Sequence, residues 1–137
     1  MEKRIIAPSF LSADFLSLGR DVEMINNSRA EWLHLDIMDG VFVPNLSYGL
    51  PVVSAIRTAT KKVLDVHLMI VQPERYIDAF AKAGADYLTV HVEASTHLHR
   101  TIQAIKAAGM KAGVALNPHT PLSSIEEVID CADMFLI

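Results

Sequence analysis

The sequence predicts an α/β fold built on a parallel sheet, and three observations point to it. Short apolar runs alternate with amphipathic segments along the whole chain. The runs start near residues 4, 32, 62, 86, 111 and 134, about 26 residues apart, the span of one strand, one helix and their loops. Polar side chains gather where the runs end: Ser9, His34 with Asp36, His67, His91 and Asn117. Strict β-α alternation implies parallel strands joined by right-handed crossovers. An open doubly wound sheet collects its ligand groups at one switch point. In a (β/α)8 barrel every strand end can contribute, so five successive polar ends favour the barrel. Ser9-Phe10-Leu11-Ser12-Ala13-Asp14 lacks the G-x-G-x-x-G pattern of a dinucleotide-binding turn.

The elements follow in order. Arg4–Ser9 reads as a strand, and Asp14–Ile25 as a helix with Phe15, Leu18, Val22 and Ile25 at helical spacing. Trp32–Asp36 is a buried strand in which His34 and Asp36 alternate with apolar residues. Asp39-Gly40 signals a turn. A loop from Gly40 to Gly49 leads to a helix over Leu50–Ala59. Lys62–Leu68 is the next strand. Pro73 opens a helix that stops at Ala83-Gly84, since glycine commonly follows a helix end. Asp86–Val92 is a strand, Thr96–Ala108 a helix ending at Gly109, and Lys111–Leu116 a strand ended by Asn117-Pro118. Leu122–Asp130 is the last helix and Met134–Ile137 the last strand.

Eight units at this spacing need about 200 residues, the lower end of barrel size. The 137 residues hold five and a half, and Phe135-Leu136-Ile137 falls inside an apparent strand. The chain therefore reads as one domain, residues 1–137, forming the N-terminal part of a barrel. Open sheet edges and an uncovered apolar face predict association between copies.

Composition narrows the function classes. Hydrophobic residues make up 51% and charged residues 20%, the balance of a globular protein. A net charge of −4 without basic runs argues against nucleic acid. No segment approaches the ~20 apolar residues of a membrane span, and residues 1–8 do not resemble a signal peptide. The single Cys131 suits a reducing compartment. These features predict a cytoplasmic protein with no membrane or nucleic-acid partner.

Chemistry concentrates in His34-Leu35-Asp36-Ile37-Met38 and Asp65-Val66-His67-Leu68-Met69. Side chains two apart on a strand share a face, so each run turns its polar residues and its Met one way. A buried imidazole beside a carboxylate is costly unless paired or metal-bound. His34, Asp36 and His67 therefore form either a hydrogen-bonded core cluster or three ligands for zinc, iron(II), manganese or cobalt. Asp36 on such a metal could take a proton from carbon while the metal stabilises the oxyanion. Met38 and Met69 either fill core or line a flat intermediate. Ser9 either caps a turn or hydrogen-bonds substrate. His91 and Glu93 are either partners of the site or polar groups on its rim. His97 and His99 should face solvent, and His119 receives no role. Residues 41–46 are an apolar βα loop, a candidate lid or local packing.

Ala7-Pro8-Ser9, the run His34–Gly40 with Phe42-Val43-Pro44-Asn45, the run Asp65–Met69, Gly84-Ala85-Asp86, His91-Val92-Glu93-Ala94 and Gly113–Pro121 together resemble the ribulose-phosphate 3-epimerase family. The resemblance runs end to end. It implies a TIM barrel that interconverts D-ribulose 5-phosphate and D-xylulose 5-phosphate in the pentose phosphate pathway. It further implies His34, Asp36 and His67 as ligands of one divalent metal, Asp36 as acid/base, Ser9 in contact with the sugar phosphate, and Met38 and Met69 against the enediolate. The family's second catalytic aspartate and its phosphate-binding loops lie on later strands, so residues 1–137 alone are expected to be inactive. Two rivals remain, an epimerase for allulose 6-phosphate and a non-catalytic barrel fragment. A decarboxylase of the same superfamily is disfavoured, because its D-x-K-x-x-D signature wants lysine where His67 stands.

Overall fold

Five parallel strands form one sheet in the order β1-β2-β3-β4-β5. They are β1 (Trp32–Met38), β2 (Val63–Met69), β3 (Tyr87–His91), β4 (Lys111–Ala115) and β5 (Met134–Leu136). The computed structural model describes residues 4–137. Helices α1 (Leu18–Asn26), α2 (Leu50–Ala59), α3 (Ile77–Ala83) and α4 (Leu98–Ala107) alternate with the strands. Among the described residues the strand order never reverses, so there is no switch point. Successive right-handed crossovers all fall on one face, which is how a (β/α)8 barrel is wound. α1 packs on α2, and α2 on α3.

Period-two alternation divides the residues of the strands. Leu33, Leu35, Ile37, Leu64, Val66 and Leu68 are buried against the helices. Val22 and Ile25 of α1, Val53 and Ile56 of α2, and Ile102 and Ile105 of α4 meet them. The opposite face carries rows of polar groups set by register. Asp36 pairs with His67, His67 with Thr89 and Thr89 with Gly113. One row below, His34 pairs with Asp65; one row above, Met38 pairs with Met69. Gly113 is required by this packing, because a Cβ there would stand 2.1 Å from Thr89 Oγ1.

Four expectations change in detail. Arg4–Ser9 is extended but is not a strand; its one bridge joins Ser9 to His34. The N–H groups of Trp32 and His34 donate to the carbonyls of Ile6 and Pro8. The returning donor would be the N–H that Pro8 lacks, so the ladder breaks. α1 starts at Leu18 rather than Asp14, because the Asp14 carboxylate takes the Leu16 N–H and builds a turn. The Pro73 helix begins as a 3-10 turn, Pro73–Tyr76, before α3. Leu122–Val128 is wholly 3-10. No helix among the described residues is long and apolar enough to cross a membrane.

Candidate metal centre

The outer edge of β1 explains how Asp36 is held. Among the described residues no strand pairs with this edge beyond Ser9; side chains complete it, together with the Ser47 N–H, which donates to the Met38 carbonyl at 3.3 Å. The Asp36 N–H donates to the Tyr48 hydroxyl at 3.2 Å, and the Met38 N–H donates to Ser47 Oγ at 3.0 Å. Ser47 Oγ in turn donates to the Asp36 carbonyl at 2.7 Å. The backbone on both sides of the Asp36 side chain is therefore fixed.

Two imidazoles converge on one oxygen of that side chain. His34 Nε2 lies 3.0 Å and His67 Nδ1 2.9 Å from Asp36 Oδ1. Ligand atoms from the three residues all lie within 4.8 Å of one another. The other carboxylate oxygen, Oδ2, accepts the Ser9 hydroxyl at 3.2 Å. Ser9 Oγ also accepts the Leu11 N–H, so it caps a 3-10 turn and faces the site at once. Behind His34, Asp65 Oδ2 sits 2.7 Å from Nδ1. Behind His67, Nε2 lies 2.8 Å from His91 Nε2, and His91 Nδ1 lies 3.2 Å from Glu93 Oε2. Glu93 Oε1 accepts the Asn117 N–H at 2.6 Å and the Thr120 hydroxyl at 2.5 Å.

Charge follows from these contacts. Hydrogen bonds to Asp36 and then Asp65 raise the His34 pKa from 6.5 to about 10, against the opposing effect of burial. Burial disfavours the charged Asp36 carboxylate, but hydrogen bonds from His34 and His67 hold its carboxyl well below the usual range. Burial also pushes the Tyr48 hydroxyl up to about 12, so it stays neutral. Burial, then the neighbouring His67, lowers the His91 pKa, which favours a neutral imidazole.

The donor set fits a divalent transition metal. Two imidazole nitrogens and one carboxylate oxygen meet from adjacent strands, a common ligand combination for such ions. With its Nδ1–H given to Asp65, His34 turns Nε2 toward the shared point, as ligating imidazoles usually do. Both ring nitrogens of His34 face carboxylate oxygens, which favours its protonated form when no ion is bound.

Of the residues singled out in the sequence, Ser9, His34, Asp36 and His67 come together, and the half-buried Met38 and Met69 sit side by side above them. His91 and Glu93 join the group as partners of His67. His97, His99 and His119 are exposed. The 41–46 loop folds back so that the Phe42 ring lies 4.8 Å from the His91 ring, centroid to centroid. Asp39 anchors it by accepting the N–H groups of Val41 and Phe42, and its other oxygen takes the Val71 N–H from the loop after β2. Ser47 and Tyr48 had no sequence signal, since their partners are backbone atoms of a strand nine to twelve residues away. Asp65 was legible as lying on the His67 face but had no assigned partner.

Comparison with known proteins gives one family. Residues 5–137 match the model of the "Ribulose-phosphate 3 epimerase family". A ribulose-phosphate 3-epimerase from Rhodobacter capsulatus is 58% identical over 96% of this chain and 58% of its own length. One from Bacillus subtilis is 57% identical over 96% of this chain and 61% of its own. The chain thus spans about three fifths of the length of these curated relatives. Among solved structures, the N-terminal domain of a Bacteroides vulgatus protein provisionally assigned as an aldolase superposes with a TM-score of 0.54. It is 16% identical, over 89% of this chain and 47% of that one, so it speaks to fold alone.

Proposed function

We propose that this chain, which belongs to the ribulose-phosphate 3 epimerase family, supplies the metal-holding wall and one proton-transferring carboxylate for epimerisation at C3 of a ketopentose phosphate. The substrate pair is D-ribulose 5-phosphate and D-xylulose 5-phosphate, a reading supported by the relatives' names. The observation that carries it is the meeting of His34 Nε2 and His67 Nδ1 at Asp36 Oδ1.

Inverting a carbon beside a carbonyl requires a proton to leave one face and another to arrive on the opposite face. A divalent ion held by His34, Asp36 and His67 would stabilise the negative charge that develops on oxygen as the proton leaves. Asp36, ionised and fixed through its backbone by Tyr48 and Ser47, offers Oδ2 as the base. Ser9, already bonded to Oδ2, is placed to orient a substrate hydroxyl. Met38 and Met69 present thioethers that can cover a flat, delocalised intermediate without protonating it. Phe42 closes over the His91 side and limits water.

By resemblance, the second aspartate and the phosphate-binding loops belong to later strands. Residues 1–137 are therefore read as half of the acid/base pair, and turnover by them alone would refute that division. A cytoplasmic location is proposed with this reading, in keeping with the lone Cys131. Association between copies is supported by the apolar side chains exposed near the site, Leu11, Phe15, Leu16, Val41 and Leu46.

The test is calorimetric titration with cobalt(II). One ion should bind per chain, and His34→Ala or Asp36→Ala should weaken binding about 100-fold or more. Wild-type protein that binds no divalent ion, or variants that bind like wild type, would overturn the reading.

A further inference from the structure

We infer that Asp39 joins the mouth of the site into one moving part: its carboxylate couples the flap formed by residues 40–46 to the loop after β2, so that the two open and close together. The inference rests on the reading above only for what would pass through that mouth.

Residues 40–46 form a body on a narrow neck. Asp39 and Leu46 make an antiparallel bridge, and the Ser47 N–H donates to the Met38 carbonyl just below it. Above the neck the Gly40 N–H donates to the Asn45 carbonyl at 2.9 Å. Asp39 Oδ1 accepts the Val41 and Phe42 N–H groups at 2.8 and 2.9 Å. Gly40 takes a φ of +73°, and a Cβ there would stand 3.2 Å from Leu46, so the turn closes tightly on itself. These bonds hold the segment in one shape without fastening it to the sheet. Phe42 is its outward contact: the half-buried ring leans on His91 at the end of β3.

The second carboxylate oxygen reaches away from the flap. Asp39 Oδ2 accepts the Val71 N–H at 2.8 Å, two residues beyond Met69. Asp39 itself follows Met38, which pairs with Met69, so the carboxylate spans the two strands directly above the paired thioethers. Beside this contact lies an apolar hollow lined by Met38, Leu50, Ile70, Val71, Tyr76 and Phe80. Side chains facing each other across a gap forgo contact, which leaves the carboxylate as the main tie there. Val71 is followed by Gln72, at φ 51° the one non-glycine in the left-handed region among the described residues. Backbone in that region persists only where its surroundings hold it, and the Asp39 bond is such a hold. A substrate approaching Asp36 past Met38 and Met69 would meet both loops, and one carboxylate makes them yield as one.

Asp39→Asn cuts one tie and spares the other. Its oxygen can still accept the Val41 and Phe42 N–H groups, while its NH2 faces the Val71 N–H, donor against donor. Phe42→Ala frees the tip of the flap. Amide exchange on the metal-free 137-residue chain, read residue by residue by NMR with the amides of β1 to β4 as the folding control, completes a double-mutant cycle. Phe42→Ala should speed exchange at Val71, on the other loop, about fivefold or more. In Asp39→Asn, Val71 should already exchange about tenfold faster than in wild type, and adding Phe42→Ala should change it less than about twofold. A role for Asp39 confined to its own turn would leave Val71 indifferent to Phe42→Ala. Exchange at Val71 unmoved by Phe42→Ala in the otherwise wild-type chain, or sped by the same factor with and without the Asp39 carboxylate, overturns the inference. Should Asp39→Asn fail to fold, the first of these comparisons decides alone. Cobalt(II) titration of the same proteins keeps the two readings apart. A wild type that binds no cobalt yet completes the cycle loses the metal reading and keeps the coupling.

Discussion

Loading the site with a divalent metal should expel a proton, and pH should set how tightly the ion is held. With a pKa near 10, His34 is an imidazolium at pH 7 in the metal-free chain. An ion can bind its Nε2 only after that proton leaves. The distance from pH 7 to 10 makes apparent affinity at pH 7 about a thousandfold weaker than a neutral His34 would allow. Affinity should therefore rise about tenfold per pH unit and level off as pH nears 10. Calorimetry in two buffers of different ionisation heat should count about one proton released from His34 per ion at pH 7.5. Asp65→Asn keeps an acceptor for Nδ1–H but removes a charge, so the plateau should move to lower pH. The same proton affects folding. The folded pKa lies above the ordinary 6.5, so its stabilisation is complete below about pH 6.5 and is lost as pH climbs through about 10. Denaturant midpoints of the metal-free chain should fall across that window. Proton-free binding at pH 7.5, together with affinity that is flat from pH 6.5 to 8.5, would refute the reasoning.

Three further outcomes are expected. Gly113→Ala drives a Cβ to within 2.1 Å of Thr89 Oγ1 and 3.2 Å of the Thr89 Cα, and should cost about 3 kcal/mol in urea unfolding; a loss under about 1 kcal/mol would show that β3 and β4 can separate freely. The Lys62 ammonium donates to the carbonyls of Ile25 in the last turn of α1 and of Ser28 and Ala30 just beyond it, so Lys62→Met should lower stability by about 2 kcal/mol, checked in the same assay. Asp39→Ala frees three N–H groups on two loops, and limited proteolysis should then cut within residues 41–46 faster than in wild type while β1 stays protected.

The sheet was legible because its pattern is local. In β1 and β2 the polar residues fall on every second position, so His34, Asp36, Asp65 and His67 could be placed on one face before any coordinates. The family motifs then named the three candidate ligands. What stayed hidden depended on single atoms or on register. Ile5-Ile6-Ala7 has the composition of a strand, yet the missing N–H of Pro8 decides that it does not become one. Asp14 looked like the start of a helix because aspartate suits both a helix entry and a side-chain turn, and the turn won by capturing the Leu16 N–H. Whether His91 and Glu93 belonged to the site could not be read from spacing, since only the relative height of β2 and β3 brings His91 against His67.

Tyr48 and Ser47 stand in for a neighbouring strand beside β1, and this gives the Asp36 carboxylate an unusual kind of mounting. A strand held by another strand can be moved only by shifting a whole ladder. Here two replaceable hydroxyls grip the main chain at residues 36 and 38. Swaps such as Tyr48→Phe or Ser47→Ala act as fine adjustment screws on the reach of Asp36, leaving the rest of the scaffold in place.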